Sequence, residues 1–320
     1  MPGAERRTAP VSAVTDALGR RPLLLVGFGT LLFSTGPVMV AGATVSGPVL
    51  SFWRLWIGAG LMGALTLVHV GVSGRRPDRT GWTWSAGCGL AFGAHQLCFM
   101  SAIQATSVVD VTLMGVLAPI FVGVLAAIVF GERPGLRFRL WSLVAIAGAV
   151  VVVLAGAVGP EGDPVGMALA VANVAFFAVY FVGSKQARGH IDTVPFLFGT
   201  VVAAGVLVSA YVGATGEPVG SIGRADLAIA AAIAVVPGFV GHFVSTWPLD
   251  RVAANVPPVM QLAIPFLSGS LAWWLLGQPI TALHLVGGVI TIAGVAGTLL
   301  SPAGRRLARP GPDATLVPGD

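Results

Sequence analysis

Three ionisable side chains lie within long apolar segments, where their chemistry could act on a small solute. Arg54 comes six residues after Pro48, and His95 and His242 lie in two separate segments further along the chain. Arginine can bind a carboxylate or a phosphate through two parallel hydrogen bonds. Histidine can bind a solute or exchange a proton near neutral pH. Because ionisable groups are costly in apolar surroundings, these three are the first candidates for a functional site.

Each candidate also has a structural interpretation. Arg54 could extend its charge to a nearby surface or pair with backbone carbonyls. Either histidine could be a neutral imidazole that is hydrogen-bonded to a neighbouring helix. Gln96 is a further candidate, but on a helix it would point about 100° away from His95, so we expect only one of the two to face the centre of a cavity.

A second group of polar residues is spaced for one helix face. Asn173, Tyr180 and Ser184 are separated by seven and four residues, so they would lie on the same side of a helix. They could line a cavity, with Asn173 and Tyr180 as substrate contacts. Hydrogen bonds between helices are an equally good interpretation.

Two prolines predict breaks in otherwise apolar helices. Pro119 and Pro265 would leave the carbonyls of Gly115 and Gln261 without their usual helical partners. Such carbonyls are tolerated in a membrane only beside protein or a watery cavity. The prolines are therefore candidates for helix breaks beside a pathway, and Gln261 is a candidate contact. A kink that serves packing alone is the alternative.

The amino-acid composition indicates the environment that surrounds these candidate residues. The 320 residues are 55% hydrophobic and only 10% charged, and the mean hydropathy is +0.88. Soluble domains carry about 25% charged residues, so this chain is predicted to lie in a lipid bilayer. The net charge of +5 is spread over short loops, which excludes a nucleic-acid-binding surface. Cys88 and Cys98 lie too far apart on one helix for a disulfide.

The stretches without Asp, Glu, Lys or Arg define the predicted spans. A helix needs about 20 such residues to cross a bilayer, and the longest stretch, residues 252–304, is long enough for two crossings around the turn at Gly277-Gln278-Pro279. The sequence therefore predicts an all-α membrane protein with ten transmembrane helices. The other charge-free stretches are residues 22–53, 55–74, 80–109, 111–131, 140–160, 164–184, 193–216 and 227–249.

Basic residues in the loops predict the orientation. If residues 1–21 are cytoplasmic, 16 Lys and Arg residues lie on the cytoplasmic side and Arg224 alone lies outside. This asymmetry is typical of cytoplasmic loops. We therefore predict a multi-pass protein of the plasma membrane with both termini in the cytoplasm. Glu132 would then lie at a cytoplasmic helix end, where it could form a latch with neighbouring arginines or belong to a translocation site. Asp110, three residues after Ser107, could cap the outer start of a span or bind substrate.

An internal repeat divides the chain into two halves. Pro119 and Pro265 are 146 residues apart, as are Gly131 and Gly277, and His95 and His242 are 147 residues apart. Because each copy has five spans, the second would enter the membrane from the opposite side. Such 5+5 inverted-topology repeats are common in secondary transporters, with the substrate near the midplane. The predicted units are a tail at residues 1–21, repeats at 22–158 and 164–301, and a disordered tail at 302–320.

These features together resemble one known family. The ten spans, the inverted repeat, Arg54 early in the second span, the proline within the fourth and Gly131-Glu132 at its end are similar to the EamA-like branch of the drug/metabolite transporter superfamily. The resemblance implies permeation of small metabolites, such as amino acids, nucleobases or drug-like compounds, through a central cavity, and often their export. Gln278 departs from the pattern, since the family usually has a glutamate there.

Other function classes lack their motifs. The sequence has no Gly-x-x-x-x-Gly-Lys-Ser/Thr loop for ATP, no His-Glu-x-x-His and no Gly-x-Ser-x-Gly. We therefore predict no enzyme activity, no cofactor and no metal. A polytopic membrane enzyme and a non-transporting receptor or scaffold subunit are the alternatives. The expected partners are a small-molecule substrate and the lipid bilayer, and the chain could work as a monomer or a homodimer.

Overall fold

The structure is a computed structural model that describes residues 22–130, 135–158, 163–187, 189–246, 261 and 263–300. All regular secondary structure in these residues is helical. The α-helices are α1 (Pro22–Ala41), α2 (Gly47–Ser73), α3 (Arg79–Ala105), α4 (Val108–Gly115), α5 (Ala118–Phe130), α6 (Leu136–Val158), α7 (Pro164–Ala187), α8 (Thr193–Thr215), α9 (Arg224–Ile233), α10 (His242–Thr246), α11 (Ile264–Leu276) and α12 (Ala282–Leu300). A π-helical segment, Ala234–Gly241, joins α9 to α10.

Capping residues explain where several of these helices begin and end. Ser46 caps the start of α2 by accepting a hydrogen bond from the backbone N–H of Val49. Three helices end at glycines with positive φ, namely Gly74, Gly216 and Gly277, at 66°, 72° and 69°. Only glycine adopts this left-handed conformation without a steric cost, so these positions are effective helix stops.

Six helical segments of the described chain are long and apolar enough to cross a membrane. They are Gly47–Ser73, Arg79–Ala105, Val108–Leu125, Pro164–Ser184, Thr193–Thr215 and Arg224–Val244. The other four predicted spans coincide with shorter apolar helical stretches, Gly27–Ala41, Arg139–Val151, Ile264–Leu276 and Ala282–Gly297. Large apolar side chains also face outward, among them Leu67 at 77% and Trp274 at 74% exposure. A surface of this kind suits lipid rather than water.

The fourth predicted span is broken where the sequence places a proline. Helix α4 ends at Gly115 and α5 begins at Ala118, so Pro119 is the second residue of α5. Pro265 is likewise the second residue of α11, and α5 and α11 have the same length of 13 residues. A proline fits the first turn of a helix because the N–H that it lacks would have no helical partner there.

Two pairs of helices pack in opposite directions. A Cβ atom at Gly148 of α6 would lie 2.5 Å from the backbone nitrogen of Thr291 in α12, and one at Gly294 would lie 2.6 Å from the Cα of Ala145. Moving forward along α6 therefore means moving backward along α12. Helices α2 and α8 are also antiparallel, because a Cβ at Gly63 would lie 3.1 Å from the Phe198 ring and one at Gly205 would lie 3.3 Å from the Trp56 ring. Both pairs join corresponding helices of the two copies.

A large buried core lies towards one end of the bundle, which we call the Ser46 end because α2 begins there. Fully buried side chains of α2, α3, α4 and α7 form one cluster that includes Leu50, Met100, Met114 and Val174. The opposite end, where α8 begins, is called the Thr193 end. A second buried cluster, which includes Cys88, Ala187, Ile191 and Phe196, lies towards the Thr193 end.

Candidate functional site

A cavity of about 370 Å³ lies between α2, α8 and the π-helical segment. Most of its wall is apolar, and the polar side chains on it come from Arg54, Tyr180, Thr193, Thr200 and His242. Its volume is within the range of about 300–1,000 Å³ that is usual for small-molecule sites. An apolar cavity with a few convergent polar groups is the expected form of such a site.

Arg54 brings a charge to this cavity. It lies in the second turn of α2 and is only 8% exposed. Its Nη1 donates a hydrogen bond to the side-chain oxygen of Gln96, and its guanidinium lies 5.8 Å from the centre of the Phe92 ring. The ion pairs among the described residues are His69 with Asp192 and His284 with Asp110. Within that part of the chain, Arg54 has only neutral partners.

The two histidines of the repeat occupy different surroundings. His242 lines the cavity, and its ring lies 5.0 Å from that of Phe33 in an edge-on contact. His95 lies behind the cavity wall, where its ring is 5.2 Å from Phe177 and its Nδ1 is 3.3 Å from the backbone oxygen of Asn173. Because the neighbouring helices differ in sequence, equivalent positions in the two copies have unlike environments.

Two aromatic residues of the cavity follow the repeat. Phe92 and Phe239 are 147 residues apart, each precedes its histidine by three residues, and both line the cavity. The sequence interpretation missed them. The repeated Phe-x-x-His spacing could have revealed them, since residues three apart lie on one helix face.

The other side chains predicted for a binding site lie at varying distances from this cavity. Tyr180 lines the cavity, and its ring centre lies 4.9 Å from that of Phe92. Gln96 is not part of the cavity wall, but its side-chain oxygen accepts a hydrogen bond from Arg54. Asn173 is buried near His95, and its side-chain oxygen has no hydrogen-bond partner among the described residues. Gln261 is half-buried and is not part of the cavity wall.

The predicted helix-break residues lie outside the cavity or outside the described chain. Pro265 is buried at the start of α11. Pro119 is the second residue of α5, and nothing is described of its side chain. Glu132 falls at residues 131–134, which the structure does not describe. In the described residues, no three His, Cys, Asp or Glu side chains come together as ligands for a metal.

Hydrogen bonds join the two copies at the Ser46 end of the bundle. Asp226 accepts hydrogen bonds from the N–H and the hydroxyl of Thr44 at 2.8 and 2.6 Å. Glu217 accepts one from Ser46 at 2.6 Å, and the indole N–H of Trp53 donates to a backbone oxygen of the same loop. At the opposite end the cavity reaches Thr193, which is exposed. The cavity wall includes none of the residues in these hydrogen bonds and reaches Thr193, so the cavity extends towards the Thr193 end rather than the Ser46 end.

A buried polar cluster joins α4 to α12 near the Ser46 end. Ser107 caps α4, as its spacing from Asp110 predicts, and the carboxylate of Asp110 accepts hydrogen bonds from Ser107, Thr106 and His284. The His284 Nε2 lies 2.9 Å from that carboxylate, and its Nδ1 accepts from the backbone N–H of Thr281. Since Nδ1 is an acceptor, the proton of a neutral ring is on Nε2 and points at Asp110.

Comparison with known proteins identifies the family. The sequence profile of the EamA-like transporter family matches residues 21–154 and again residues 164–300. The chain belongs to the EamA-like transporter family. It is thus a multi-pass membrane transporter of the drug/metabolite superfamily with two EamA repeats, and this is a family of transporters rather than of enzymes.

Relatives and a solved structure agree with this assignment. An uncharacterized transporter of Archaeoglobus fulgidus is 25% identical over 81% of this chain and 90% of its own length. The uncharacterized transporter YdfC of Bacillus subtilis is 24% identical over 66% of this chain and 69% of its own. A crystal structure with 22% identity shares the fold, with a TM-score of 0.59 over 90% of this chain and 98% of that chain.

Proposed function

We propose that this transporter exports small metabolites from the cytoplasm by alternating access through the cavity between two inverted repeats. The observation that carries the proposal is the cavity itself. It holds Arg54 and His242 and extends to exposed Thr193, whereas hydrogen bonds join the two copies at the Ser46 end. In alternating access, each conformational state has a solute site that is open to one side of the membrane and closed to the other.

The packing of the two copies supports the inverted arrangement. Helices α6 and α12 occupy corresponding places in the repeats and run in opposite directions through Gly148 and Gly294. Helices α2 and α8 also occupy corresponding places in the repeats and run in opposite directions. Antiparallel packing of equivalent helices is expected when the copies are related by a two-fold axis in the membrane plane. This favours ten spans in two units, residues 22–158 and 164–301.

The distribution of charge supports export as the direction of transport. Lys185 and Arg188 precede the Thr193 end, and the count of basic residues in the loops favours the cytoplasm for that side. The same count favours cytoplasmic termini and the plasma membrane. The cavity of this state then receives solute from the cytoplasm, which suits an exporter.

A cavity-filling substitution tests transport through this site. Gly58 lines the cavity, and a Cβ there would lie 3.6 Å from Val201, so phenylalanine at this position projects into the solute space. Vesicles containing the purified protein are loaded with the twenty amino acids, the five nucleobases and 3-phenylpropionate, and the retained solutes are measured by mass spectrometry. We expect the wild type to release at least one solute faster than protein-free vesicles, and Gly58→Phe to remove that release.

Gly60 provides the matched control. It lies two residues along the same helix, is exposed, and has nothing within 4 Å of its Cβ position. Gly60→Phe should therefore release solute at the wild-type rate. Equal release by the wild type and by Gly58→Phe would place the pathway elsewhere, and the absence of release for every solute would contradict transport of these classes.

A further inference from the structure

The charge of Arg54 is not neutralised by any described residue, although the side chain is almost fully buried. Its hydrogen-bond partner is the neutral amide of Gln96, and its other close contact is the Phe92 ring. A buried cation without a carboxylate is costly. A guanidinium group carries five N–H donors, and the hydrogen bond to the amide oxygen of Gln96 comes from Nη1. The remaining donors and the positive charge suit an anionic group of a solute in the cavity.

The repeat shows that this charge is present on one side only. The residue 147 positions after Arg54 is Val201, and the residue 147 positions after Gln96 is Phe243, and both of these apolar residues line the same cavity. No aspartate or glutamate is among the described residues of the cavity wall. The site therefore offers one cationic contact, which matches one negative charge better than two and gives no acidic partner to an ammonium group.

The rest of the wall suits an apolar body. Leu55, Met62, Leu197 and Phe239 line the cavity together with Val201, so a solute anchored at Arg54 would lie against aliphatic and aromatic surface. Burial of such surface is favourable by about 25 cal/mol per Å². A solute with a charged head and an apolar body therefore matches both parts of the cavity.

A glycine leaves room beside the charge. Gly238 lies in the π-helical segment after Pro237, and a Cβ there would lie 3.6 Å from Nη2 of Arg54 and 2.8 Å from the carbonyl of Ile233. Any side chain at position 238 would occupy the space next to the guanidinium. π-Helical segments inside α-helices are frequent at functional sites, and Ala234, Gly238 and Phe239 of this one line the cavity.

We infer that the cavity binds organic monocarboxylates with an apolar body, and that the carboxylate binds to Arg54. This inference rests on the proposed transport function, because it names the solute class of the same cavity. Phosphate esters with two charges would find only one cation here, so the carboxylate is the better match. Apolar amines would place a second positive charge beside Arg54.

A charge series of one molecular shape tests the inference. The purified full-length protein in detergent is titrated with 3-phenylpropionate, 3-phenylpropionamide and 3-phenylpropylamine, and the shift in melting temperature gives each affinity. We expect the acid to bind about 10- to 100-fold more tightly than the amide, since charge-assisted hydrogen bonds separate the two. The amine should be weakest. Equal affinities for acid and amide, or a stronger response to the amine, would overturn the inference.

Variants of Arg54 give a second, independent outcome. Arg54→Gln should remove the preference for the acid over the amide, and Arg54→Lys should retain part of it, because a point charge remains. Arg79→Gln, at the exposed start of α3, serves as the matched control and should behave as the wild type. If Arg54→Gln does not fold, the charge series on the wild type still decides. Release of amides or amines from vesicles without binding of the acid would leave transport standing and refute this inference alone.

Discussion

Leucine in place of Gly294 is expected to prevent α6 and α12 from packing and to destabilise the protein by about 3 kcal/mol or more. A Cβ at this position would lie 2.6 Å from the Cα of Ala145, and its closest contact is the backbone nitrogen of the same residue. Backbone cannot move aside as a flexible side chain can, and close packing of small residues is the main source of helix association in lipid. Gly148→Leu should have the same effect, because its Cβ would meet the backbone of Thr291.

Size-exclusion chromatography and thermal melting in one detergent measure this effect. Gly87→Leu is the matched control, since Gly87 lies in the middle of α3, is exposed, and has nothing within 4 Å of its Cβ position. It should elute as a single species with a melting temperature close to that of the wild type. A Gly294→Leu variant that melts with the wild type would show that α6 and α12 do not meet at these glycines.

Loss of the Asp110–His284 contact is expected to be nearly as severe. Asp110 is 2% exposed and His284 is 6% exposed, so replacing either one leaves its partner buried without its hydrogen bond. Leaving a buried polar group without its partner costs about 1–3 kcal/mol, and more when the group is charged. We therefore expect Asp110→Leu and His284→Phe each to lower the melting temperature strongly. The double variant should recover part of the loss, because neither polar group is then left alone.

An exposed pair of the same two residue types supplies the control. His69 and Asp192 are 3.2 Å apart, and their side chains are 30% and 44% exposed. Exposed pairs contribute about 0–1 kcal/mol, so His69→Phe should change stability little. If the losses from Asp110→Leu and His284→Phe simply add in the double variant, the two residues do not act as a pair.

Regular features of the sequence predicted much of the structure. The 146-residue offset predicted that Pro119 and Pro265 hold equivalent places, and both are second residues of helices of equal length. Ser107 and Asp110 predicted a helix start. The helix start depends on spacing along one segment, where a helix fixes which residues are neighbours. The offset depends on comparing the chain with itself.

Contacts between distant segments were beyond this kind of prediction. The bond between Asp110 and His284 joins residues 174 positions apart, and no local pattern marks His284 as its partner. The different positions of His95 and His242 relative to the cavity depend on the helices packed against them. Side-chain packing between non-equivalent helices decides such details, and a repeat in the sequence does not contain that information.

Access to Met62 from each side of the membrane tests alternating access most directly. Met62 lines the cavity, and Met62→Cys in a Cys88→Ala/Cys98→Ala background can react with a membrane-impermeant sulfonated maleimide in vesicles of known orientation. Gly60→Cys, on the exposed side of the same helix, is the lipid-facing control and should not react. The measurement is repeated after Asp226→Ala and Glu217→Ala, which remove the side-chain oxygens that accept hydrogen bonds from Thr44 and Ser46.

We expect Met62→Cys to react from the cytoplasmic side when the Ser46-end contacts are intact, and to become reactive from the outer side when they are removed. Loss of those hydrogen bonds favours the state in which the Ser46 end is open. Reaction from the same side at the same rate in both proteins, or no reaction in either, would contradict a cavity that opens in turn to the two faces of the membrane.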